Sequence, residues 1–336
     1  MKIKLDHGAG GYLSKNLIDE IIIPKLKPVY LGIMEDSGIA NVNTNLIAFT
    51  TDSYVVSPIF FGNCDIGKIS ICGTVNDLVV SGATPKYLSL SFIIEEGLDI
   101  IDLETILDSI CKTCIQANVK ILAGDTKVVR KGEADKIYIN TSGIGTFESN
   151  QKPLHLKNIN VGDSIIVTGL LGNHGIHILS MREGLGFENV VPTDCAPLNN
   201  LVLNILSKYG EDIHYIRDLT RGGLGNIINE ISVEINKNII LYSESLPIQK
   251  ETIMAGEMLG INPLYLANEG NLCIFCDPKI TKYVLEDLRK FNESKAANEC
   301  GIVAESDSTP NVVIQKDNGI SNILDFLRGA ELARLC

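Results

Sequence analysis

Acidic side chains recur in this chain where predicted strands and helices end. Most of them stand beside turn residues, where side chains point toward a cleft rather than into a core. Several carboxylates directed at one place repel one another unless a divalent cation neutralises them. Magnesium with a nucleoside triphosphate fits best, because Mg²⁺ binds hard oxygen ligands together with substrate phosphates. The carboxylates are Asp36, Asp52, Asp77, Asp125, Asp218 and Glu269.

Asp77 is the exception to this placement. It lies within the apolar helical run Val75-Asn76-Asp77-Leu78-Val79. A mid-helix aspartate among aliphatic residues needs a cation or a hydrogen-bond donor beside it. Any one aspartate is more simply explained as a helix cap or a turn former. The predicted magnesium site therefore rests on the set of carboxylates and not on a single member.

Two glycine-rich segments are candidates to present backbone N–H groups to phosphate. The first is His7-Gly8-Ala9-Gly10-Gly11, and the second is Gly222-Gly223, which opens a predicted helix. Neither has the spacing of a Walker loop or of a dinucleotide-binding fingerprint, so each alone is weak evidence. Lys127, two residues after Asp125, is as readily a solvated lysine as a phosphate ligand or a proton-transfer group.

The last residue of the chain is a cysteine, Cys336. A thiol at a chain terminus can be carried between sites, because terminal residues are the most mobile. Its position does not match prenylation signals, in which the cysteine is fourth from the end. On its own, a terminal cysteine is more simply an accident of sequence.

The other cysteines include two CxxC pairs, Cys111–Cys114 in a predicted helix and Cys273–Cys276 in a predicted strand. A four-cysteine zinc site requires both pairs to meet between turns, which this placement does not favour. We interpret them as small buried hydrophobic residues. A zinc-binding module remains a distant alternative.

Composition narrows the class of protein. A chain of 336 residues with a hydrophobic fraction of 45% is typical of a two-domain enzyme. Its net charge of −12 argues against binding to nucleic acid or to anionic membranes. The sequence shows neither a leader peptide nor an apolar run long enough to cross a bilayer, so we expect a cytoplasmic protein without nucleic-acid or membrane partners.

Apolar periodicity predicts two α/β layered domains with mixed sheets rather than a doubly wound parallel sheet. We place the N-terminal domain at residues 1–150, the C-terminal domain at 151–320 and a mobile tail at 321–336. Strands are predicted at 46–51, 87–94, 119–123, 136–147, 164–168, 239–242, 272–276 and 312–314. Helices are predicted at 68–81, 101–116, 177–182, 198–208, 223–233 and 281–291, with a break at Gly124–Lys127 and a loop at Gly172–Gly175.

Taken together, the motifs resemble the HypE family of hydrogenase maturation proteins over essentially the whole chain. The resemblance implies the two-domain ATP-binding fold of aminoimidazole ribonucleotide synthetase, with dimers formed through the N-terminal sheets. The matching runs are His7 to Gly11, Thr51-Asp52-Ser53-Tyr54-Val55, Ile71-Cys72-Gly73-Thr74-Val75-Asn76-Asp77, Ala123-Gly124-Asp125-Thr126-Lys127-Val128-Val129, Arg217-Asp218-Leu219-Thr220-Arg221-Gly222-Gly223 and Asn268-Glu269-Gly270.

The family ends in a Pro-Arg-(Ile/Val)-Cys tail, which stands here as Ala333-Arg334-Leu335-Cys336. The resemblance implies that the carbamoyltransferase HypF loads a carbamoyl group onto Cys336. The protein then dehydrates this thiocarbamate to a thiocyanate with ATP, and the cyano group passes to iron held by a HypC–HypD pair. The tail is expected to alternate between an inward and an outward position.

The same resemblance assigns roles to individual residues. Cys336 carries the substrate, and Lys127 and Glu269 polarise the carbamoyl group and move its protons. Asp218 and Arg221 frame the site from the second domain. The ATP and Mg²⁺ ligands are Gly8, Gly10, Gly11 and Asn76 for the nucleotide, and Asp36, Asp52, Asp77 and Asp125 for magnesium.

Two other functions fit the same motifs. One is a kinase or synthetase of the same superfamily that acts on a free metabolite, with Cys336 incidental. The other is a scaffold that binds ATP as a structural ligand and displays its tail to partners. Loss of activity on removal of Cys336 separates the dehydratase from the first alternative, and phosphate release that depends on carbamoylation separates it from the second.

Overall fold

The computed structural model describes residues 2–4, 17–30, 46–148, 152–306, 309–327 and 334–336. The chain divides into two compact units. Unit 1 consists of Met1–Val79, Ala83–Gln151 and Cys336, and unit 2 consists of Val80–Gly82 and Lys152–Leu335. Within the described residues, none of the helices combines the length and apolar character needed to span a bilayer.

Unit 1 is built on a four-stranded sheet with the strand order β1-β6-β4-β5. Strands β4 and β5 are parallel and the other neighbours are antiparallel, so the sheet is mixed as predicted. The strands are β1 (Ile47–Tyr54), β2 (Phe60–Phe61), β3 (Cys64–Asp65), β4 (Thr84–Glu95), β5 (Lys120–Val129) and β6 (Ile137–Thr146). The helices are a π-helical turn (Leu17–Ile22) that continues into α1 (Ile23–Leu26), then α2 (Ile66–Val80) and α3 (Ile100–Ala117).

Helix α2 packs closely on one face of this sheet. The Thr141 hydroxyl of β6 is 2.5 Å from the Thr74 hydroxyl of α2 and donates to the Ser70 carbonyl at 3.2 Å. A Cβ atom on Gly143 would lie 2.8 Å from side-chain carbons of both Leu78 and Thr74. Glycine at this position therefore allows the helix to approach the sheet.

The opposite face of the sheet is exposed to solvent in unit 1, and it carries apolar side chains. Successive residues of a strand point to opposite faces, and β1 alternates between partly buried and exposed positions. On the open face, the exposed fractions are 49% for Ile47, 66% for Phe49 and 45% for Ile93. We call this surface the open sheet face.

Unit 2 contains a seven-stranded mixed sheet with the order β13-β12-β9-β11-β7-β10-β8. Its strands are β7 (Ser164–Val167), β8 (Ile213–Asp218), β9 (Asn238–Tyr242), β10 (Leu272–Cys276), β11 (Asn298–Ala304), β12 (Val312–Gln315) and β13 (Ser321–Ile323). Its helices are α4 (Asn173–Glu183), α5 (Asn199–Tyr209), α6 (Gly223–Ile235), α7 (Lys250–Leu259) and α8 (Thr281–Leu288). Short 3₁₀ turns occur at Leu156–Asn158, Phe187–Asn189, Gly210–Asp212, Ser243–Ser245, Pro263–Tyr265 and Asn292–Ser294.

The core of unit 2 lies between this sheet and helix α6. All five residues of β10 are buried, including both of its cysteines, as expected for a central strand with both faces covered. Ile165, Phe275 and Leu241 of the sheet join Leu224 and Ile228 of α6 in one apolar cluster.

Three local predictions are wrong. Strand β5 does not break at Gly124, because Gly124–Lys127 pairs in parallel with Leu90–Ile93. Strand β1 does not stop at Asp52 but continues to Tyr54, paired with β6. The predicted loop at Gly172–Gly175 is instead the start of α4, which begins at Asn173. Gly172 precedes the helix and has a φ of 78°. In the first two places, pairing with a neighbouring strand outweighs the turn preference of glycine and aspartate.

Candidate functional site

Two predicted magnesium ligands lie together in unit 1. The Thr74 hydroxyl of α2 donates to Asp52 Oδ2 at 3.0 Å, and the Thr50 hydroxyl of β1 donates to Asp77 Oδ2 at 2.8 Å. Thr50 and Asp52 are two residues apart on the same face of β1, which is about 7 Å of extended chain. Asp52 and Asp77 are therefore neighbours where β1 packs against α2.

The Thr50 contact answers the question raised by Asp77. This aspartate is partly buried within α2, and the sequence predicted that it needs a donor or a cation. The donor is a threonine of the adjacent strand. Asn76, the preceding residue, is 4% exposed and lies in the same helix.

Asp125 and Lys127 lie on the other face of the sheet. Asp125 pairs with Ser91, which pairs with Asn140 of β6 and so with Ser53 of β1. Because the residues of one such row share a face, Asp125 and Asp52 point in opposite directions from strands at opposite edges of the sheet. Within one chain, the structure does not bring Asp125 together with Asp52 and Asp77.

An ion pair links Asp125 to Lys127. Lys127 Nζ lies 2.7 Å from Asp125 Oδ1, and both side chains are more than half exposed. The hydrogen bond from Lys127 lowers the pKa of Asp125 below its ordinary value. The pair is accessible on the open sheet face.

The remaining predicted phosphate and magnesium ligands, Gly8, Gly10, Gly11 and Asp36, lie outside the described residues. Among those that the structure does describe, no group of three or more His, Cys, Asp or Glu is arranged to hold a metal ion. Asp52 and Asp77 are neighbours at the β1–α2 contact, and their carboxylate oxygens are of the ligand type that Mg²⁺ prefers.

Cys336 belongs to unit 1 although it ends the chain. Its carbonyl accepts a hydrogen bond from the backbone N–H of Val55 at 3.2 Å. Val55 directly follows β1 and is three residues, roughly 10 Å of extended chain, from Asp52. The last residue therefore lies at the end of the strand that carries one of the candidate magnesium ligands.

The structure separates Cys336 from the other cysteines by exposure. All nine cysteines are free thiols, of which eight are buried and Cys336 is partly exposed. Burial raises the pKa of four of them, Cys114, Cys273, Cys276 and Cys300, to about 12. A thiol with such a pKa stays protonated at neutral pH and is a poor nucleophile.

In unit 2, Asp218 ends strand β8 and is 7% exposed. Arg217 Nε lies 3.5 Å from Asp218 Oδ1. Arg221 is exposed in the turn that leads to α6. The turn closes with Gly222 at a φ of 74°, in the left-handed region that favours glycine.

The loop Asn268–Gly270 lies at the start of both α4 and α6. Asn268 Oδ1 accepts from the Gly172 N–H at 2.8 Å, and Asn268 Nδ2 donates to the Leu219 carbonyl at 3.0 Å. Glu269, the predicted proton-transfer residue, is 4% exposed. This loop is therefore held rigidly by side-chain to backbone hydrogen bonds.

A residue that the sequence did not single out, Asp194, supports the same loop. Its Oδ1 accepts from the Glu269 N–H at 3.0 Å, and its Oδ2 accepts from Asn271 Nδ2 at 3.2 Å. Burial raises the pKa of Asp194 to about 7. The sequence around Asp194 shows no periodic pattern, and nothing in it distinguishes this residue from an ordinary loop aspartate.

His174 contacts the end of the chain. It is fully buried in the first turn of α4. Its Nδ1 lies 2.7 Å from the Thr193 hydroxyl and its Nε2 lies 2.8 Å from the Leu335 carbonyl. Arg182, in the last turn of α4, donates to the Arg334 carbonyl.

Comparison with known proteins gives two family models that together match most of the chain. The N-terminal domain of AIR synthase related proteins matches residues 34–147, and their C-terminal domain matches residues 160–312. The two models agree with the mixed sheets of units 1 and 2, and the predicted fold class is confirmed.

Individual relatives match over nearly their full length. The chain is 36% identical over 336 residues to the carbamoyl dehydratase HypE of Azotobacter vinelandii, covering 99% of this chain and 97% of that protein. The crystal structure of a HypE hydrogenase maturation protein in complex with ATP is 37% identical, with a TM-score of 0.93 and 99% of both chains covered. HypE in a crystal structure of a HypE–HypF complex is 38% identical, with a TM-score of 0.80, covering 94% of this chain and 100% of that one.

Proposed function

Because this chain belongs to the HypE family of carbamoyl dehydratases, we propose that it uses ATP to dehydrate a carbamoyl group carried on the thiol of Cys336. The product is a thiocyanate that supplies the cyanide ligand of iron during maturation of nickel–iron hydrogenase. The observation that carries the proposal is the exposure of Cys336, the one cysteine of nine that is not buried.

The chemistry requires ATP because a carboxamide oxygen is a poor leaving group. The carbamoyl oxygen attacks the γ-phosphorus, and the bond from that phosphorus to the bridging oxygen of ADP breaks. The carbon–oxygen bond then breaks and phosphate leaves, while the nitrogen loses both of its protons, which are taken up by the released phosphate and by solvent. The net change converts S–C(=O)–NH₂ and ATP into S–C≡N, ADP and phosphate.

The carboxylates of unit 1 supply the metal site in this proposal. Asp52 and Asp77 hold Mg²⁺ together with Asp36, and Gly8, Gly10, Gly11 and Asn76 contact the nucleotide. When bound, magnesium neutralises phosphate charge. The hydroxyls of Thr74 and Thr50 fix the two carboxylates in place, so less ordering is needed when the metal binds.

Glu269 and Lys127 are the proposed proton-transfer and polarising groups. The hydrogen bonds of Asp194 and Asn268 hold the Glu269 loop in place, which suits a residue that must keep a fixed geometry. Asp218 and Arg221 frame the substrate. Asp125 forms an ion pair with Lys127 on the open sheet face.

Three partners follow from the proposed reaction. HypF loads the carbamoyl group, as the crystal structure of a related HypE–HypF complex supports. A second copy of the chain covers the open sheet face, since Ile47, Phe49 and Ile93 leave an apolar surface there. A HypC–HypD pair accepts the cyano group.

Mass spectrometry of the C-terminal peptide tests the proposal directly. The protein is incubated with a HypF carbamoyltransferase, carbamoyl phosphate and ATP. We expect the peptide to gain the mass of one carbamoyl group and then to lose one water only when ATP is present. Cys336→Ser must abolish both changes, and Cys111→Ser, which removes a buried thiol, must leave both intact.

A different result identifies the alternative. If Cys336→Ser consumes ATP on a free metabolite as fast as the wild type does, the protein is a small-molecule kinase or synthetase. If ATP binds and is never hydrolysed, even after carbamoylation, the protein is a scaffold.

A further inference from the structure

We propose that His174 is a positioning residue that holds the chain end in place, by donating a hydrogen bond from Nε2 to the carbonyl of Leu335. A hydrogen bond between the Thr193 hydroxyl and Nδ1 favours the tautomer in which the imidazole carries its hydrogen on Nε2. The inference rests on the proposed function, since Leu335 directly precedes the thiol that carries the substrate.

The contacts of His174 define where its proton lies. The Leu335 carbonyl can only accept, so the hydrogen of the 2.8 Å contact must be on Nε2. Burial lowers the pKa of His174, which favours the neutral ring. With the hydrogen on Nε2, the neutral ring has its lone pair on Nδ1. The Thr193 hydroxyl, 2.7 Å away, then donates to Nδ1.

This arrangement extends one step further along the chain. The Thr193 hydroxyl oxygen accepts from the backbone N–H of Cys195 at 3.3 Å. All the hydrogen bonds therefore run in one direction, from Cys195 through Thr193 and His174 to Leu335. A neutral histidine in the other tautomer would place a lone pair against the carbonyl and lose the contact.

The chain end needs such support. Arg334 adopts a φ of 59°, a left-handed conformation that residues with a Cβ atom disfavour. Leu335 is only 7% exposed, so its carbonyl would lose a hydrogen bond in a buried setting if His174 released it. The contacts from His174 and Arg182 fall on two successive carbonyls and stabilise this disfavoured backbone.

The segment Thr193–Cys195 also contacts the loop that carries Glu269. Thr193 bonds to His174, and the next residue, Asp194, accepts the backbone N–H of Glu269. Adjacent residues therefore set the position of the chain end and that of Glu269. A displacement of this segment would move both together.

The test measures how fast the Cys336 thiol is alkylated in the intact protein without ATP or carbamoyl donor. Iodoacetamide is the probe, and mass spectrometry of the C-terminal peptide gives the rate. His174→Asn keeps a group near Nδ1 that accepts from Thr193 but is too short to reach Leu335. His174→Gln places an amide N–H near the position of Nε2.

We expect alkylation of His174→Asn to be about fivefold faster than that of the wild type, the size expected for one lost buried hydrogen bond. His174→Gln should stay within about twofold of the wild type, because it restores the donor. Thr193→Val should accelerate alkylation through loss of the fixed tautomer. His177→Asn is the matched control, since His177 is buried in the same helix and donates from Nδ1 to the Val191 carbonyl at 2.7 Å, which asparagine can reproduce.

Equal rates for His174→Asn and the wild type would overturn the proposal. Equal acceleration in His174→Asn, His174→Gln and His177→Asn would overturn it as well, since it would show a general loosening of α4. The readout needs no turnover. Failure of the proposed function would appear separately, as dehydration activity that survives Cys336→Ser while the order of the alkylation rates is unchanged.

Discussion

Asp194 is partly buried, and its Oδ1 accepts a hydrogen bond from the backbone N–H of Glu269 at 3.0 Å. A carboxylate in this setting is stabilised by its donors and destabilised by the loss of water. The balance raises the pKa of Asp194 to about 7. The loop that carries Glu269 is therefore anchored by a group that titrates near neutral pH.

Asp194→Asn should change how stability depends on pH. Between about pH 4 and pH 7 the folded wild type retains a proton on Asp194 that the unfolded chain has released, so this group's contribution to the free energy of unfolding falls as pH rises. The variant lacks that contribution. Urea unfolding at pH 5 and pH 8 should show that the advantage of the wild type over Asp194→Asn is larger at pH 5.

Asp108→Asn is the control for this measurement, because Asp108 lies at the surface in an ion pair with Lys25. Subtracting the variant from the wild type removes the titration of groups that do not interact with Asp194. A wild-type advantage that grows between pH 5 and pH 8 would contradict the assigned pKa shift.

Gly270→Ala should destabilise unit 2. A Cβ atom at this position would overlap the backbone carbonyl of Asp194, and backbone atoms cannot turn away as a side chain can. We expect the free energy of unfolding to fall by about 1–3 kcal/mol, as for other forced contacts in a packed interior. Thermal unfolding measures this, and an unchanged melting temperature would show that the Glu269 loop is free to move.

Asp52→Asn and Asp77→Asn should each weaken binding of ATP in the presence of magnesium. Asparagine can still accept the hydrogen bond from Thr74 or Thr50, so the local fold should be kept while the negative charge is lost. We expect at least about a tenfold loss of affinity by isothermal titration calorimetry. Asp108→Asn should bind as the wild type does. Unchanged affinity in both variants would remove these residues from the metal site.

Phe49→Asp should convert the proposed dimer into a monomer. Phe49 is the most exposed apolar residue of the open sheet face, with 66% of its surface accessible, and a carboxylate there would have to be buried without a partner in a dimer. Ile101→Asp is the matched control, because Ile101 is 69% exposed on α3 and does not belong to that face. Light scattering coupled to size-exclusion chromatography gives the masses. A dimer that persists in Phe49→Asp would place the interface elsewhere.

The spacing of apolar residues predicted much of the fold, because the helices and strands of both units bury one regularly spaced set of side chains. The helices at 68–81 and 101–116 correspond to α2 and α3 within one or two residues, and the strand at 272–276 matches β10. Gly124–Lys127 was misjudged because turn propensity is a local property, whereas its pairing with Leu90–Ile93 depends on a strand more than thirty residues away. The elements that were not predicted are strands β2, β3, β8, β11 and β13 and helix α7.

The chemistry of single residues was harder to predict than the secondary structure. The need for a donor at Asp77 was visible in the sequence, but Thr50 as that donor required the fold. The contact of His174 with Leu335, 161 positions away, has no signature in the sequence. Asp194 was missed for the same reason, since its partners lie about 75 residues further along the chain.

The burial of eight sulfurs has a consequence for the proposed reaction, in which the protein carries an electrophilic group on a thiol. A carbamoyl or cyano group can migrate between thiols when a second sulfur is ionised and within reach. Here the interior sulfurs are shielded by packing, and those with a pKa of about 12 remain unreactive. In the proposed reaction, this burial leaves Cys336 as the one thiol that is exposed enough to carry the group to its acceptor.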